Sequence, residues 1–505
     1  MSSLDFFLGI DLGTTSVKAT LIDGRWSVVG QRRVEYRTVQ IRPVWIEQDP
    51  REWWDATCRV VRELLSAAKA DAGRIRAVSV SSQAPTLLGL DGDGKPTGNA
   101  MIWMDRRATD ECKNILGAMG DAISGYSGNR VDPYYMLPKL LWEKRNRPER
   151  YWAARQYLQA NGWIVYQLTH RYSIDKTHAA LTQCYDIYRD RWAEDAMREL
   201  DLDVRKFPPV FGCMEIVGTV TPEAAEAAGL KSGLPVLAGA IDGATAPLGL
   251  KLFESDRAFE MSGQSSGIGI ILDRPVFHPN LCLLKHAVDG KWILKGSMST
   301  SGGSLKWFRD QIDDGAAGDA GAYGRYDEMV QKAPVCSDGL IFLPYLAGER
   351  APLWDSDVKG VFFGLHLKTG KADMLRSIME GTAFGLKTIL EELRDAGLEV
   401  DGLFGTGGGY LSGVWAQIKA DVLEKPIRAR AGDVDTASLG SAYLARAAAT
   451  GVSLDEIPET EAEKEYLPNP ENRDAYRRYY GIFKELYRVN RDLFPKLSLA
   501  DDEHG

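Results

Sequence analysis

Phe6-Phe7-Leu8-Gly9-Ile10-Asp11-Leu12-Gly13-Thr14-Thr15-Ser16-Val17-Lys18-Ala19-Thr20-Leu21-Ile22 sets the reading of the chain. Two apolar runs, Phe6–Ile10 and Val17–Ile22, flank a polar turn with one acid, one glycine and two threonines, a pattern that predicts strand, turn, strand. Trp26–Arg37 continues as a third extended segment. Asp49-Pro50-Arg51-Glu52 then announces a helix, with Asp as N-cap, Pro in the first turn and Glu three residues after the cap. Trp53, Thr57, Val60, Val61, Leu64, Leu65 and Ala68 fall on one face at helical spacing, and Ile75–Ser81 reads as a further strand. Strands and helices in alternation predict an α/β layer architecture.

The same order recurs downstream. Arg257–Met261 precedes the polar stretch Ser262-Gly263-Gln264-Ser265-Ser266-Gly267, and Ile268–Leu272 resumes the apolar run. A helix over Asp373–Ala396, a strand near Leu403, the triple glycine Gly407-Gly408-Gly409 and a helix over Ser412–Glu424 follow. Two similarly built halves predict a cleft between them that holds a ligand. The boundary falls near Leu250–Glu254, giving domains 1–252 and 253–505.

Composition removes several classes. With 61 Lys+Arg against 70 Asp+Glu the chain carries a formal charge of −9, which argues against a nucleic-acid binder with its basic face. Aromatic residues make up 10%, too many for a disordered chain. No apolar run approaches the roughly 18 residues of a membrane span, and Met1–Gly13 lacks the pattern of a secretory leader. The six cysteines form no C-x-x-C pair, so free thiols in a reducing cytoplasm are expected.

Three turns and one aromatic segment offer chemistry. The Asp11–Ser16 turn presents backbone N–H groups and hydroxyls suited to phosphate, with a carboxylate suited to Mg²⁺, although a plain hairpin turn has the same composition. No G-x-x-x-x-G-K-[ST] loop is present; Gly407–Gly409 stands nearest, between a strand and a helix, where glycine lets a ring or phosphate approach the backbone. Asp242, among the small residues of Ala238-Gly239-Ala240-Ile241-Asp242-Gly243-Ala244-Thr245, could accept a hydroxyl proton or simply make a turn. Trp103-Met104-Asp105-Arg106-Arg107 suits either a sugar stacked on Trp103 beside Asp105 and Arg106, or a surface ion pair next to a half-buried ring.

Taken in order, these segments resemble the FGGY family of carbohydrate kinases, within the actin/Hsp70/sugar-kinase fold. Gly9–Lys18 is similar to the family's first phosphate loop, and Pro138-Lys139-Leu140-Leu141-Trp142 to the core of its first signature. Gly360–Leu365 and Asp373–Gly381 resemble the second signature, preceded by the related stretch Tyr345–Pro352; Gly407–Leu423 resembles the adenosine loop and its helix. The resemblance implies two ribonuclease H-like, actin-like ATPase domains. The N-terminal one would carry the sugar site and first phosphate loop, and the C-terminal one nucleotide binding and a helical tail.

It also implies roles. Asp242 becomes the catalytic base, and Asp11 with Asp242 the acids linked to Mg²⁺. Gly13, Thr14, Thr15 and Lys18, then Gly263, Gln264 and Ser265, Gly302 and Gly303, and Gly408, Gly409 and Ser412 become the ATP-binding set, with Gln264 where the family usually has threonine. Gln83 and Ala84, with Trp103, Asp105, Arg106 and Asp242, form the substrate side. Ser82-Gln83-Ala84-Pro85 lacks both the Gln-Met-His-Gly of xylulose kinases and the Asn-Gln-Arg-Glu of glycerol kinases. A pentulose such as xylulose is the implied acceptor; erythritol, xylitol, gluconate, glycerol and a non-catalytic sugar or nucleotide sensor are the alternatives. The implied partners are a small sugar or polyol and ATP/ADP, with neither nucleic acid nor membrane, in a cytoplasmic homodimer. In the tail, Tyr476, Tyr479, Tyr480, Phe483, Leu486 and Tyr487 recur at helical spacing, as a core-packing stripe does.

Overall fold

A computed structural model describes residues 5–42, 44–430, 434–458 and 463–498. The opening stretch forms β1 (Phe6–Leu12) and β2 (Ser16–Asp23), paired antiparallel with Leu12 opposite Val17, and β3 (Val28–Glu35) continues the meander. Helix α1 (Pro50–Ala68) begins where Asp49 accepts a hydrogen bond from the Arg51 amide at 2.9 Å. Glu52 does not reach back to close a capping box; it binds Arg37 instead. Trp53, Ala56, Thr57, Val60, Val61, Leu64 and Leu65 form the buried face, and each large apolar side chain there contributes about 1.5–3 kcal/mol of burial.

β4 (Ile75–Ser82) runs parallel to β1, and β5 (Ile216–Thr219), β6 (Pro235–Leu237) and the two-residue β7 (Ala240–Ile241) complete the sheet in the order β5-β6-β4-β1-β2-β3, with β7 also on β4. Helix α2 (Asp242–Gly249) follows at once.

The second half repeats the plan. β8 (Ala258–Ser262) and β9 (Ser266–Leu272) make the hairpin, with β10 (Cys282–Lys285) and β11 (Trp292–Met298) beyond it. After the long helix α3 (Lys371–Asp395) come β12 (Leu403–Thr406), α4 (Gly413–Leu423), β13 (Ile427–Arg430), α5 (Thr436–Thr450) and β14 (Glu463–Tyr466). The sheet order is β10-β11-β9-β8-β12-β13-β14. In both halves an antiparallel meander leads into parallel strands, three strands long in the first half and four in the second, where β10 is added, so the predicted repetition is present in plan.

The halves share a core. Phe7, Ile22, Leu237 and Ile241 of the first pack in one cluster with Phe259, Ile293, Leu439 and Tyr443 of the second. Helices α2 and α5 cross so closely that a methyl group on Gly249 or Gly440 would overlap a carbonyl of the other helix, at Thr436 or Thr245. The tail helix α6 (Arg473–Asn490) buries Tyr476, Tyr480, Phe483 and Leu486, as its spacing predicts. Tyr476 donates to Glu380 at 2.9 Å, and Glu380 also binds Arg376, Ser337 and the Cys336 amide. Arg376 and Glu380 of the second signature are therefore scaffold. No helix among the described residues is long and apolar enough to cross a membrane.

Candidate active site

The two hairpin turns hold matching places in their halves but differ in content. In the first, the Gly13 amide closes on the Ser16 carbonyl at 3.0 Å. Asp11 lies buried below it, accepting from Ser81 at 2.9 Å, with its register partner Lys18 at 3.6 Å. Lys18 reaches Asp435 of the second half at 2.7 Å. The Lys18 ammonium, which the resemblance places in the ATP-binding set, is thus shared between two carboxylates. Desolvation pulls the Lys18 pKa down, but Asp435 and Asp11 outweigh it and hold it above the ordinary value.

Thr14 joins this turn to the candidate sugar wall. Its hydroxyl accepts from Trp103 Nε1 at 2.9 Å and its carbonyl from Gln48 at 2.7 Å. Gln48 Oε1 in turn accepts from Gln83 at 2.7 Å, and the Gln83 amide donates to the Leu12 carbonyl at 2.9 Å. Gln83 Oε1 is a buried acceptor left without a hydrogen-bond partner. Tyr134 donates to the Ala84 carbonyl at 3.0 Å, and Arg350 lies 4.4 Å over Trp103 and 5.8 Å from the Tyr134 ring centre. Thr15 is exposed at the turn's tip.

Asp242 is set by β7. Ala240 and Ile241 pair with Ser81 and Ser82 at the end of β4, so the next residue stands beside Gln83 at the head of α2. Thr177 holds that step, accepting from the Ile241 amide at 2.8 Å. Asp175, His178 and Ser82 form a buried relay behind it: His178 Nδ1 is 2.5 Å from Asp175 and Nε2 is 3.0 Å from Ser82. Asn161 ties Asp175 to the Ala238 carbonyl at 2.9 and 3.0 Å. Asp242 itself takes one hydrogen bond, from the Gly243 amide at 2.6 Å, and among the described residues no cation lies within 4.0 Å of its carboxylate. Burial raises its pKa, with Lys295 and then the Gly243 amide opposing. Asp11 is raised by burial too; Lys18 opposes this, while Asp435 and Asp242 add to it.

The second hairpin offers amides and a carboxamide. Gly263 closes on Ser265 at 2.8 Å. Gly302 and Gly303 donate to the Gly263 and Gln264 carbonyls, each at 3.0 Å, so they brace this turn and present bare backbone rather than free N–H groups. Gln264 is exposed, with its side-chain amide laid across Gly303. Gly407, at φ 96°, turns the chain against Ser262; Gly408 is open and Gly409 packs on Ser262. Ser262 accepts from Lys419 at 2.6 Å, and Lys419 forms a fully buried pair with Glu260 at 2.9 Å.

Three expectations change. Asp105 is fully buried: both its oxygens serve the Arg107 guanidinium, and one also accepts from the Ile46 amide at 2.6 Å. Arg107, flanked by Trp45 at 4.2 Å and Trp142 at 4.9 Å, requires that carboxylate, so Asp105 has nothing to offer a sugar. Arg106 is held in a two-point pair with Asp132 at 2.9 and 3.0 Å. Ser412 is the N-cap of α4, donating to Asp327 at 2.7 Å and accepting from Trp415 at 3.0 Å, so its hydroxyl is committed.

Sequence reasoning missed Gln48, Asp435, Arg350, Lys295 and the Asp175–His178 relay. Two of them had a signal: Asp435-Thr436-Ala437 echoes Asp242-Gly243-Ala244, and Arg350 lies in the stretch Tyr345–Pro352. No group of three or more metal-ligating side chains occurs among the described residues. Mg²⁺ needs only one or two carboxylates beside substrate phosphates, and the paired elevation of Asp11 and Asp242 fits a site for a divalent cation.

Residues 6–249 match the N-terminal domain, and residues 261–449 the C-terminal domain, of the FGGY family of carbohydrate kinases. The chain is 28% identical to the xylulose kinase of Staphylococcus epidermidis, over 96% of this chain and 97% of that protein. Among solved structures, the gluconate kinase from Lactobacillus acidophilus superposes with a TM-score of 0.88 at 27% identity, covering 98% of this chain and all of that one. A ligand-bound xylulose kinase from the same organism gives 0.88 at 26% identity, again over 98% and 100%. With both family models matched in order across the two halves just described, the chain belongs to the FGGY family of carbohydrate kinases.

Proposed function

We propose that this kinase transfers the γ-phosphoryl group of ATP to a hydroxyl of a small sugar, with a pentulose such as xylulose as first choice and Asp242 as general base. One observation carries the reading: Asp242 is the half-buried carboxylate between the halves that lacks a close cation and whose pKa is raised. A base of that kind takes up a proton more readily than an ordinary aspartate.

Residues 1–252 would seat the sugar and 253–505 the nucleotide. Gln83 Oε1, Trp103 and Tyr134 would wall the acceptor, the first by accepting from a hydroxyl. The Gly13 and Gly263 turns, with Thr14, Thr15, Gln264 and Ser265, would surround the phosphates, and Gly408–Gly409 would let the base and ribose lie against the backbone. A divalent cation held near Asp11 and Asp242 would offset phosphate charge when bound. Asp242 would take the hydroxyl proton while the shared core of α2 and α5 keeps it in line; in phosphoryl transfer positioning and electrostatics supply most of the rate. The likeness to both xylulose and gluconate kinases supports a polyhydroxylated acceptor of five or six carbons. The lost arginine and glutamate at Ala84-Pro85 speak against glycerol.

Asp242→Ala, assayed by coupled ADP release over a panel of ketoses, aldonates and polyols, is expected to lower kcat by about 10³-fold or more while ATP still binds. Near wild-type turnover would contradict the base assignment.

A further inference from the structure

A second titratable group approaches Asp242, from the other half. Lys295 lies on β11, on the face of that strand whose Ile293 packs in the core shared by the halves. Its Nζ stands 3.8 Å from the place a Cβ would take on Gly243, the residue after Asp242. On the neighbouring strand β9, a Cβ on Gly267 would come within 3.1 Å of Lys295 Cε, so glycine there keeps the path of the side chain open. The one hydrogen-bond partner of this ammonium among the described residues is the thioether of Met261 at 3.9 Å, a weak acceptor. Met261 stands two residues before the turn glycine, where the first hairpin has Asp11, so the second half withholds a carboxylate at this point.

Three donors on one half-buried ammonium call for oxygen acceptors that the protein does not supply. Arg350, over Trp103 and Tyr134, adds a second cation whose Nε also lacks a partner. The segment Gln83-Ala84-Pro85, next to Asp242 on the first half, carries no charge. Asp242 and Lys295 are more than 4.0 Å apart, so the ammonium does not close on the base as an ion pair.

We propose that Lys295 is a substrate-contacting, specificity-determining residue that donates to a carbonyl or carboxylate oxygen of the acceptor and so selects ketoses or sugar acids over plain polyols. The inference rests on the reading of Asp242 as the base. The ammonium's bond to a carboxylate carries charge on both sides, and a carbonyl oxygen accepts with no proton of its own to place, which gives the selection its direction.

The test compares kcat/KM for a ketose, its alditol and the matching aldonate in the wild type, Lys295→Met and Lys295→Gln. In the wild type the ketose or the aldonate is expected to exceed the alditol by about 10²-fold, and Lys295→Met to reduce that ratio by about 10-fold or more. Lys295→Gln keeps a donor without charge: recovery of the ratio identifies the ketose, and failure to recover identifies the aldonate. Nucleotide affinity and the thermal midpoint, measured on both variants, show that the fold is retained, and either variant suffices if the other folds poorly. A wild-type ratio near one, or equal losses on all three acceptors, would overturn the proposal. If Asp242→Asn retained turnover, the base reading would fail instead, and the two failures are therefore separable.

Discussion

Asp242 and Asp435 open the two helices that pack across the halves, α2 and α5, in the matching stretches Ile241-Asp242-Gly243-Ala244-Thr245 and Val434-Asp435-Thr436-Ala437-Ser438. Asp435 caps α5 by accepting from the Ser438 amide at 2.9 Å and pairs with Lys18 across the halves at 2.7 Å. Burial would raise its pKa, yet Lys18 and the hydrogen bonds from Ser438 together outweigh burial and the net shift is downward. Asp242 has no such cation, and its shift is upward. The same residue at the same place in a repeated fold is paired with a cation in one copy and left without a close one in the other. Partner supply, not position, separates them.

Asp105 extends the comparison to a carboxylate paired on every side. Asp105→Ala leaves the buried Arg107 with Glu47 alone, and a loss of about 3–5 kcal/mol in urea denaturation is expected, with KM for the sugar unchanged in any fraction that folds. An unchanged midpoint with a raised KM would restore Asp105 to the sugar site.

Asp435→Asn is expected to cost less, about 1 kcal/mol at pH 7, because both partners keep partial contact with solvent. The sign follows from the lowered pKa: Asp435 stabilises the fold above its unfolded value near 3.8, and that contribution is lost as pH falls through the folded one. The gap between wild type and variant should therefore close on acidification.

Asp242→Asn should move stability by the smallest amount and in the opposite direction. Its raised pKa means that folding is opposed as pH rises from about 3.8 through the folded value, so removing the charge is expected to stabilise at pH 7 by up to about 1 kcal/mol. The same shift places the acid limb of kcat/KM above the range of an ordinary aspartate. A limb below pH 4 would break the contrast with Asp435.

Much of this fold was legible because its signals are local. The turn chemistry of Asp11–Ser16, the Asp49 cap and the stripe of α1 each involve residues a few positions apart. The site was legible only in part. Asp105 reads as available beside Trp103 until Trp45, Glu47 and Trp142 close around Arg107. Ser412 looks like a ligand to the nucleotide until its helix begins and uses the hydroxyl. Lys18 and Asp435 lie 417 residues apart, and Lys295 sits in an apolar strand with no motif around it. Such pairings arise from the repeat folding back on itself, which no local pattern encodes.

The most direct test of the contrast sets Asp242→Asn beside Asp435→Asn and measures ADP release at saturating acceptor together with the urea midpoint of each. Expected is a kcat loss of about 10³-fold or more for Asp242→Asn with an undiminished midpoint, and a lowered midpoint for Asp435→Asn with kcat within about 10-fold of wild type. Turnover surviving in Asp242→Asn, or vanishing in a fully folded Asp435→Asn, would contradict the division of labour between the two aspartates.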